Sequence, residues 1–159
     1  MPSRYVPVDF LRDDVSTKLT DSGWQADRQT LFVWEGVTNY LTEAAVTAVL
    51  SWIGSCASGS KVVFTYVHAG LLDGSRRFEG GEHILRNVQK LGEPWTFGLH
   101  PDEVASFVAD RGLSLQEDAG ADDYRRRYLG DSPRLLHGYA FYRIAVADVA
   151  NGKSVKPAM

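Results

Sequence analysis

Apolar positions along this chain fall into compact runs and helical repeats that alternate from one end to the other. Leu31, Phe32, Val33 and Trp34 form one β-favouring run, which reaches from Thr30 to Glu35. Lys61–Val67 is the clearest run, apolar nearly throughout, as a strand covered on both faces should be. Between the two, Thr42 is a good N-cap, Glu43 suits the first turn, and Val46, Val49, Leu50 and Ile53 recur at helical spacing. Upstream, Tyr5, Val6, Val8 and Phe10 predict a short strand, at an edge or a strand start because Pro7 removes a ladder donor. Residues 13–22 predict a helix stopped by Gly23, with Leu11, Val15 and Leu19 on one face.

The pattern weakens over residues 68–99, a glycine-rich stretch expected to form a lid or insertion with one helix at about residues 82–90. Pro101 then opens a helix to Asp110, residues 113–117 predict a strand, 122–129 a short helix, and 139–147 a long final strand. This alternation predicts an α/β sandwich with a mostly parallel sheet. The last two strands are joined by only a short helix and loop, which predicts an antiparallel pair at the C-terminal edge. A single domain over residues 1–150 and a flexible tail over 151–159 complete the expected organisation.

Composition narrows the function classes. With 159 residues and a net charge of −3, the chain has no general attraction for nucleic acid or anionic lipid. Cys56 is the only cysteine, so an internal disulfide is impossible. His68, His83, His100 and His137 show no i, i+4 pairing, and no metal site is expected. No window approaches the apolar length of a membrane span, and a cytoplasmic location is the default expectation.

The chemistry centres on the end of the first apolar run. Ligands of open α/β sheets bind outside the carboxyl ends of strands, and Glu35 followed by Gly36 stands at such an end. From the residues alone Glu35 serves either a ligand or the turn that follows, and Asp9 either a ligand or the helix that follows. No two glycines are separated by a single residue, so G-x-G, the turn that begins many cofactor folds, does not occur. Tyr66, His68, Arg76, Arg77 and Trp95 are the acceptor-binding candidates in and beside the lid.

Three segments together resemble a known family: Val6-Pro7-Val8-Asp9-Phe10, Trp34-Glu35-Gly36-Val37-Thr38-Asn39-Tyr40-Leu41, and Gly138-Tyr139-Ala140-Phe141-Tyr142-Arg143. They are similar to the leucine carboxyl methyltransferase-like family, in its bacterial branch of S-adenosylmethionine-dependent O-methyltransferases. The resemblance runs from about Arg4 to Val149 and covers the C-terminal portion of the family only. It implies a class I methyltransferase (Rossmann-like) sandwich whose full sheet has the order 3-2-1-4-5-7-6. By this likeness residues 5–9 correspond to the family's third strand, and the later strands to its fourth to seventh. It further implies that Asp9 and Phe10 hold the adenine of S-adenosylmethionine. Glu35 and Gly36 would stand beside its methionine part, with Tyr40 one turn on.

The chain departs from the family in lacking the first two strands, their glycine-rich loop and the ribose-binding acid. Without those strands the edge from Thr30 to Trp34 would be left open, an apolar template for pairing. Three remedies are expected: the third strand shifts beside the fourth, two copies pair edge to edge, or an N-terminal partner chain supplies the missing half. Homo-oligomerisation through Thr30–Trp34 is the favoured one. The functions implied are O-methyl transfer to a small-molecule carboxylate or hydroxyl, or a methyltransferase remnant repurposed to bind a small molecule or run other chemistry. A fragment or subunit completed by a partner is the third reading.

Overall fold

The structure, a computed structural model, describes residues 3–10, 12–129 and 139–150. Four strands, β1 (Leu31–Trp34), β2 (Lys61–Val67), β3 (Leu113–Gly120) and β4 (Tyr142–Val149), form one sheet in the order β1-β2-β4-β3. β1 runs parallel to β2, and β4 lies antiparallel to both β2 and β3. Three strands therefore point one way and β4 alone is reversed. This is the mostly parallel sheet with an antiparallel C-terminal pair that the alternation predicts, and its order matches the 4-5-7-6 half of the larger sheet.

The helices are α1 (Val15–Asp21), α2 (Glu43–Gly54), α3 (Ala69–Leu72), α4 (Gly81–Lys90), α5 (Val104–Ala109) and α6 (Ala121–Tyr124). A π-helical turn, Arg125–Leu129, continues α6, so the expected helix at 122–129 forms in two pieces. α1 is capped by Asp14, which accepts from the Thr17 N–H at 2.7 Å, and α2 by Thr42, which accepts from the Ala45 N–H at 3.2 Å. Each satisfies one of the donors a helix start leaves unpaired. α2 ends at Gly54, where a Cβ would lie 1.9 Å from the Arg111 carbonyl oxygen. Only glycine lets the helix end seat on the turn between α5 and β3.

The core lies on one face of the sheet. Val62, Phe64 and Tyr66 of β2 are in register with Ala147, Ala145 and Arg143 of β4, and the apolar members pack under Val46, Leu50 and Ile53 of α2 and Val104 and Val108 of α5. A second cluster, Val67, Leu71, Val88, Trp95 and Phe141, gives the segment 68–99 its own apolar centre over the sheet end.

Two expectations are corrected. Residues 5–10 form no strand: Tyr5 is fully open to solvent, and the segment has no place in the sheet. A strand exists only through its neighbours, and among the described residues β1 pairs on its β2 side alone. The segment instead lays Phe10 against Trp34, ring centroids 5.9 Å apart, and turns into α1 as the Asp9 carbonyl accepts from the Arg12 and Asp13 N–H groups. β2, second, is sealed on one face rather than both: Val63 and Thr65 are only half-buried, as are Ile144 and Val146 beside them. A run of apolar residues reads the same whether or not its own chain supplies the second layer. The expected tail at 151–159 lies outside the described residues.

Candidate functional site

β1 and β2 end side by side, with Trp34 opposite Phe64, so the residues that follow them meet at the carboxyl edge of the sheet. Glu35 is exposed there, and among the described residues no hydrogen bond or ion pair engages its carboxylate. Gly36 has φ +70°, a value that favours glycine, and its N–H donates to Thr65 Oγ1 at 2.7 Å. A Cβ at Gly36 would meet nothing within 4 Å, which leaves this stretch of backbone open to close approach. The Thr38 hydroxyl donates to the Thr65 carbonyl at 2.6 Å, and the Asn39 carbonyl accepts from the Thr96 N–H at 2.8 Å. These bonds tie the 3-10 turn Thr38–Tyr40 to both β2 and the loop before Phe97.

That tie positions an aromatic group. Tyr40, partly exposed, stands edge-on to Trp95 at 6.3 Å, and Trp95 stands 5.6 Å from Tyr142 and 6.1 Å from Phe141. Trp95 is buried, and its Nε1 has no acceptor among the described residues.

His68 follows β2. Its Nδ1 accepts from the Gly70 N–H at 3.0 Å, which caps α3 and puts the ring proton on Nε2. Burial, and then the Arg76 guanidinium, push its pKa below the ordinary histidine value, so the imidazole is neutral at pH 7. Its ring stands 5.4 Å from His100 and 5.1 Å from Phe78, over which the Arg76 guanidinium lies at 5.0 Å.

Tyr66 does not belong with these residues. It is fully buried, donates to Asp118 Oδ1 at 2.8 Å, and accepts from Arg143 Nε at 3.0 Å, while Arg143 Nη2 lies 2.8 Å from Asp118 Oδ2. Burial and then the Asp118 carboxylate hold the phenol pKa far above its usual value, so the hydroxyl stays protonated as a strut between strands. Tyr66 thus stands as a buried strut, apart from the other residues expected to bind an acceptor. Sequence reasoning missed Asp118 and Arg143. The available signal was Arg143 itself, the one charge in the apolar run 139–147, which demands a counter-charge when the strand is central.

Phe10 reaches the end of β1 through its contact with Trp34. Asp9 lies 3.6 Å from Arg12 Nε, and its N–H donates to Asp13 Oδ2 at 2.9 Å. Of the expected residues, Phe10 thus lies against Trp34, which Glu35 and Gly36 follow; Tyr40 and Trp95 share the aromatic cluster; His68 and Arg76 both stand beside Phe78.

The profile of the family described as leucine carboxyl methyltransferase matches residues 2–54, the stretch that holds Asp9, Phe10, Glu35, Gly36 and Tyr40. No curated protein matches the chain. Among solved structures it is similar to a DUF574 family protein from Streptomyces avermitilis, with TM-score 0.58 and 16% identity over 91% of this chain and 54% of that one. It is also similar to a protein from Thermobifida fusca assigned to the methyltransferases, with TM-score 0.55 and 19% identity over 82% of this chain and 47% of that one. A third is the mitomycin 7-O-methyltransferase MmcR, with TM-score 0.51 and 13% identity over 89% of this chain and 32% of that one. At such identities the likeness is one of fold: the chain has a methyltransferase-type α/β fold. It spans about half the length of the first two structures and about a third of the last.

Proposed function

We propose that this chain, similar to the leucine carboxyl methyltransferases over residues 2–54 and built on a methyltransferase-type fold, serves S-adenosylmethionine-dependent O-methyl transfer to a small-molecule carboxylate or hydroxyl. The observation that carries the reading is the open Glu35 carboxylate beside the bare Gly36 backbone, at the carboxyl edge of a parallel strand pair.

The residues present fit part of the cofactor. Glu35 can hold a cationic amino group by charge-assisted hydrogen bonds, and Gly36 leaves its backbone approachable. Phe10, which packs on Trp34, and Asp9 before it suit an adenine ring and its amino group. Bound S-adenosylmethionine supplies an electrophilic methyl group, so positioning is the main task left to the protein. Tyr40, backed by the buried Trp95, offers aromatic surface to a cationic centre. His68, neutral and protonated at Nε2, can donate a hydrogen bond to an acceptor oxygen.

The remaining contacts are assigned to a second copy. The Thr30 carbonyl accepts from the Lys61 N–H at 2.9 Å, so Thr30, Phe32 and Trp34 turn their backbone toward β2 while Leu31 and Val33 turn theirs outward. An antiparallel β1–β1 pair centred on Phe32 sets Leu31 opposite the partner's Val33 and pairs all of these outward groups. It also brings the strand end bearing Arg28 alongside the strand end bearing Glu35, a charge match that parallel pairing lacks. The second copy would then place its residues 28 and 29 beside Glu35 and Gly36.

Calorimetric titration of S-adenosylmethionine and S-adenosylhomocysteine into the folded chain, with its mass in solution measured alongside, tests the reading. Binding by a dimer, weakened about tenfold or more by Glu35→Ala and by Asp9→Ala, is the expected result. A folded sample with neither heat nor thermal shift overturns it. A second reading is a small-molecule binder that does not transfer methyl groups. Cofactor binding without turnover across an acceptor panel would select it.

A further inference from the structure

We propose that the cleft between α3 and α4 binds an anionic group carried on an apolar body, such as an aromatic carboxylate. On the reading of function above, it anchors the acceptor. The cleft has a volume of about 510 Å³, with Leu71, Phe78 and Leu85 as apolar surface and Arg76, Arg77 and Arg86 around it. Among the described residues its only acidic lining residue is Glu82, although the chain as a whole carries a net charge of −3.

The arginines here differ from all the others described. Arg12, Arg125, Arg126, Arg127 and Arg143 each have a carboxylate partner. Arg4, Arg28 and Arg111 each donate to a carbonyl, amide or hydroxyl oxygen. Arg76, Arg77 and Arg86 have no side-chain oxygen partner among the described residues, and they converge on one cleft. Three unpaired guanidiniums repel one another, and an anion relieves that repulsion while offering the bidentate geometry they favour.

The loop that carries two of them is held in place. The Ser75 N–H donates to Asp73 Oδ1 at 2.7 Å, the Arg76 N–H to the Gly70 carbonyl at 3.0 Å, and the Gly81 N–H to the Phe78 carbonyl at 3.0 Å. Phe78 links the cleft to the candidate site, since its ring lies 5.1 Å from that of His68. An oxygen clamped by guanidiniums is a poor nucleophile. The held anion is thus a handle, and the ligand carries a separate hydroxyl or carboxylate as methyl acceptor.

Amide-resolved NMR titration of the full chain with 2-naphthoate, and with uncharged 2-naphthylmethanol as control, decides the matter without any cofactor. The expected result is tighter binding of naphthoate by about tenfold or more at low salt. Shifts should centre on Gly74, Gly80 and Gly81, and the preference should shrink as salt rises. The Arg77→Gln/Arg86→Gln variant should lose the preference with its circular dichroism unchanged, and Arg77→Lys/Arg86→Lys should retain part of it. Equal binding of the two probes, shifts confined to another surface, or a preference that survives the glutamine variant would overturn the proposal. If that variant fails to fold, the salt dependence and the lysine variant decide in its place. Cofactor binding without naphthoate binding would remove the cleft and leave the functional reading standing. Naphthoate binding without cofactor binding would do the reverse.

Discussion

At one edge of the sheet β1 shows Leu31 and Val33, 63% and 67% exposed, in a strand with no charge between Arg28 and Glu35. At the other edge β3 carries Ser114, Gln116 and Glu117, breaks its register between Leu115 and Glu117, and is braced by Arg127 on Glu117 at 2.5 Å. β3 is further fastened from inside, where Asp118 meets Arg143 and Tyr66, and from above, where the Tyr124 hydroxyl donates to the Ala119 carbonyl at 3.0 Å. Polar side chains and a bulge are the ordinary means of protecting an edge, and β3 has both. β1 has neither. It has the composition of an interior strand set at a boundary, which is why pairing with a second copy is proposed for it.

The largest effect that would sharpen this contrast is at Asp118. Asp118→Ala leaves Arg143, a mostly buried guanidinium, without its counter-charge, and should cost about 3 kcal/mol in denaturant unfolding. A loss too small to measure would mean that β3 is held no better than β1. Next in size, Leu31→Lys with Val33→Lys should convert a dimer to monomers in sedimentation. The monomer's own stability should stay within about 0.5 kcal/mol, since both side chains are already exposed. A dimer that survives both lysines would show that the β1 edge is not the interface. The smallest effect belongs to the outermost brace. Arg127→Ala should leave both the mass in solution and the unfolding midpoint unchanged, because an exposed ion pair contributes little. A marked change in mass would mean that β3 rather than β1 makes the contact between copies.

Much of this was legible in the residues. The run Lys61–Val67 became β2 with those bounds, Thr42 capped α2, and the short connection between the last strands gave an antiparallel pair. These are local matters of periodicity, capping and connection length, and neighbours in sequence settle them. The segment 5–10 departs from its strand expectation for the opposite reason. Its alternation of apolar and polar residues suits a strand, but a ladder needs a partner, and among the described residues none lies beside β1 on that side. The half-open face of β2 is not legible in its residues on the same grounds, since hydrophobicity records what a residue prefers and not what packs against it.

The candidate site divides along the same line. Glu35 and Gly36 could be placed from sequence, because a carboxylate and a glycine after an apolar run sit at a strand end whatever the rest of the chain does. Tyr66 and Trp95 could not be told apart in advance. Register with Arg143 drew one into a strut with Asp118, and the tie from Asn39 to Thr96 set the other against Tyr40. The gathering of Arg76, Arg77 and Arg86 around one cleft likewise came from the packing of α4 on α3 through Leu71 and Leu85. By itself the sequence determined the elements and their order, because backbone propensity and side-chain period act over a few residues. Which side chains share a pocket, which charges find partners and which edge stays bare were decided only by the tertiary structure, because those depend on distances between residues far apart in the chain.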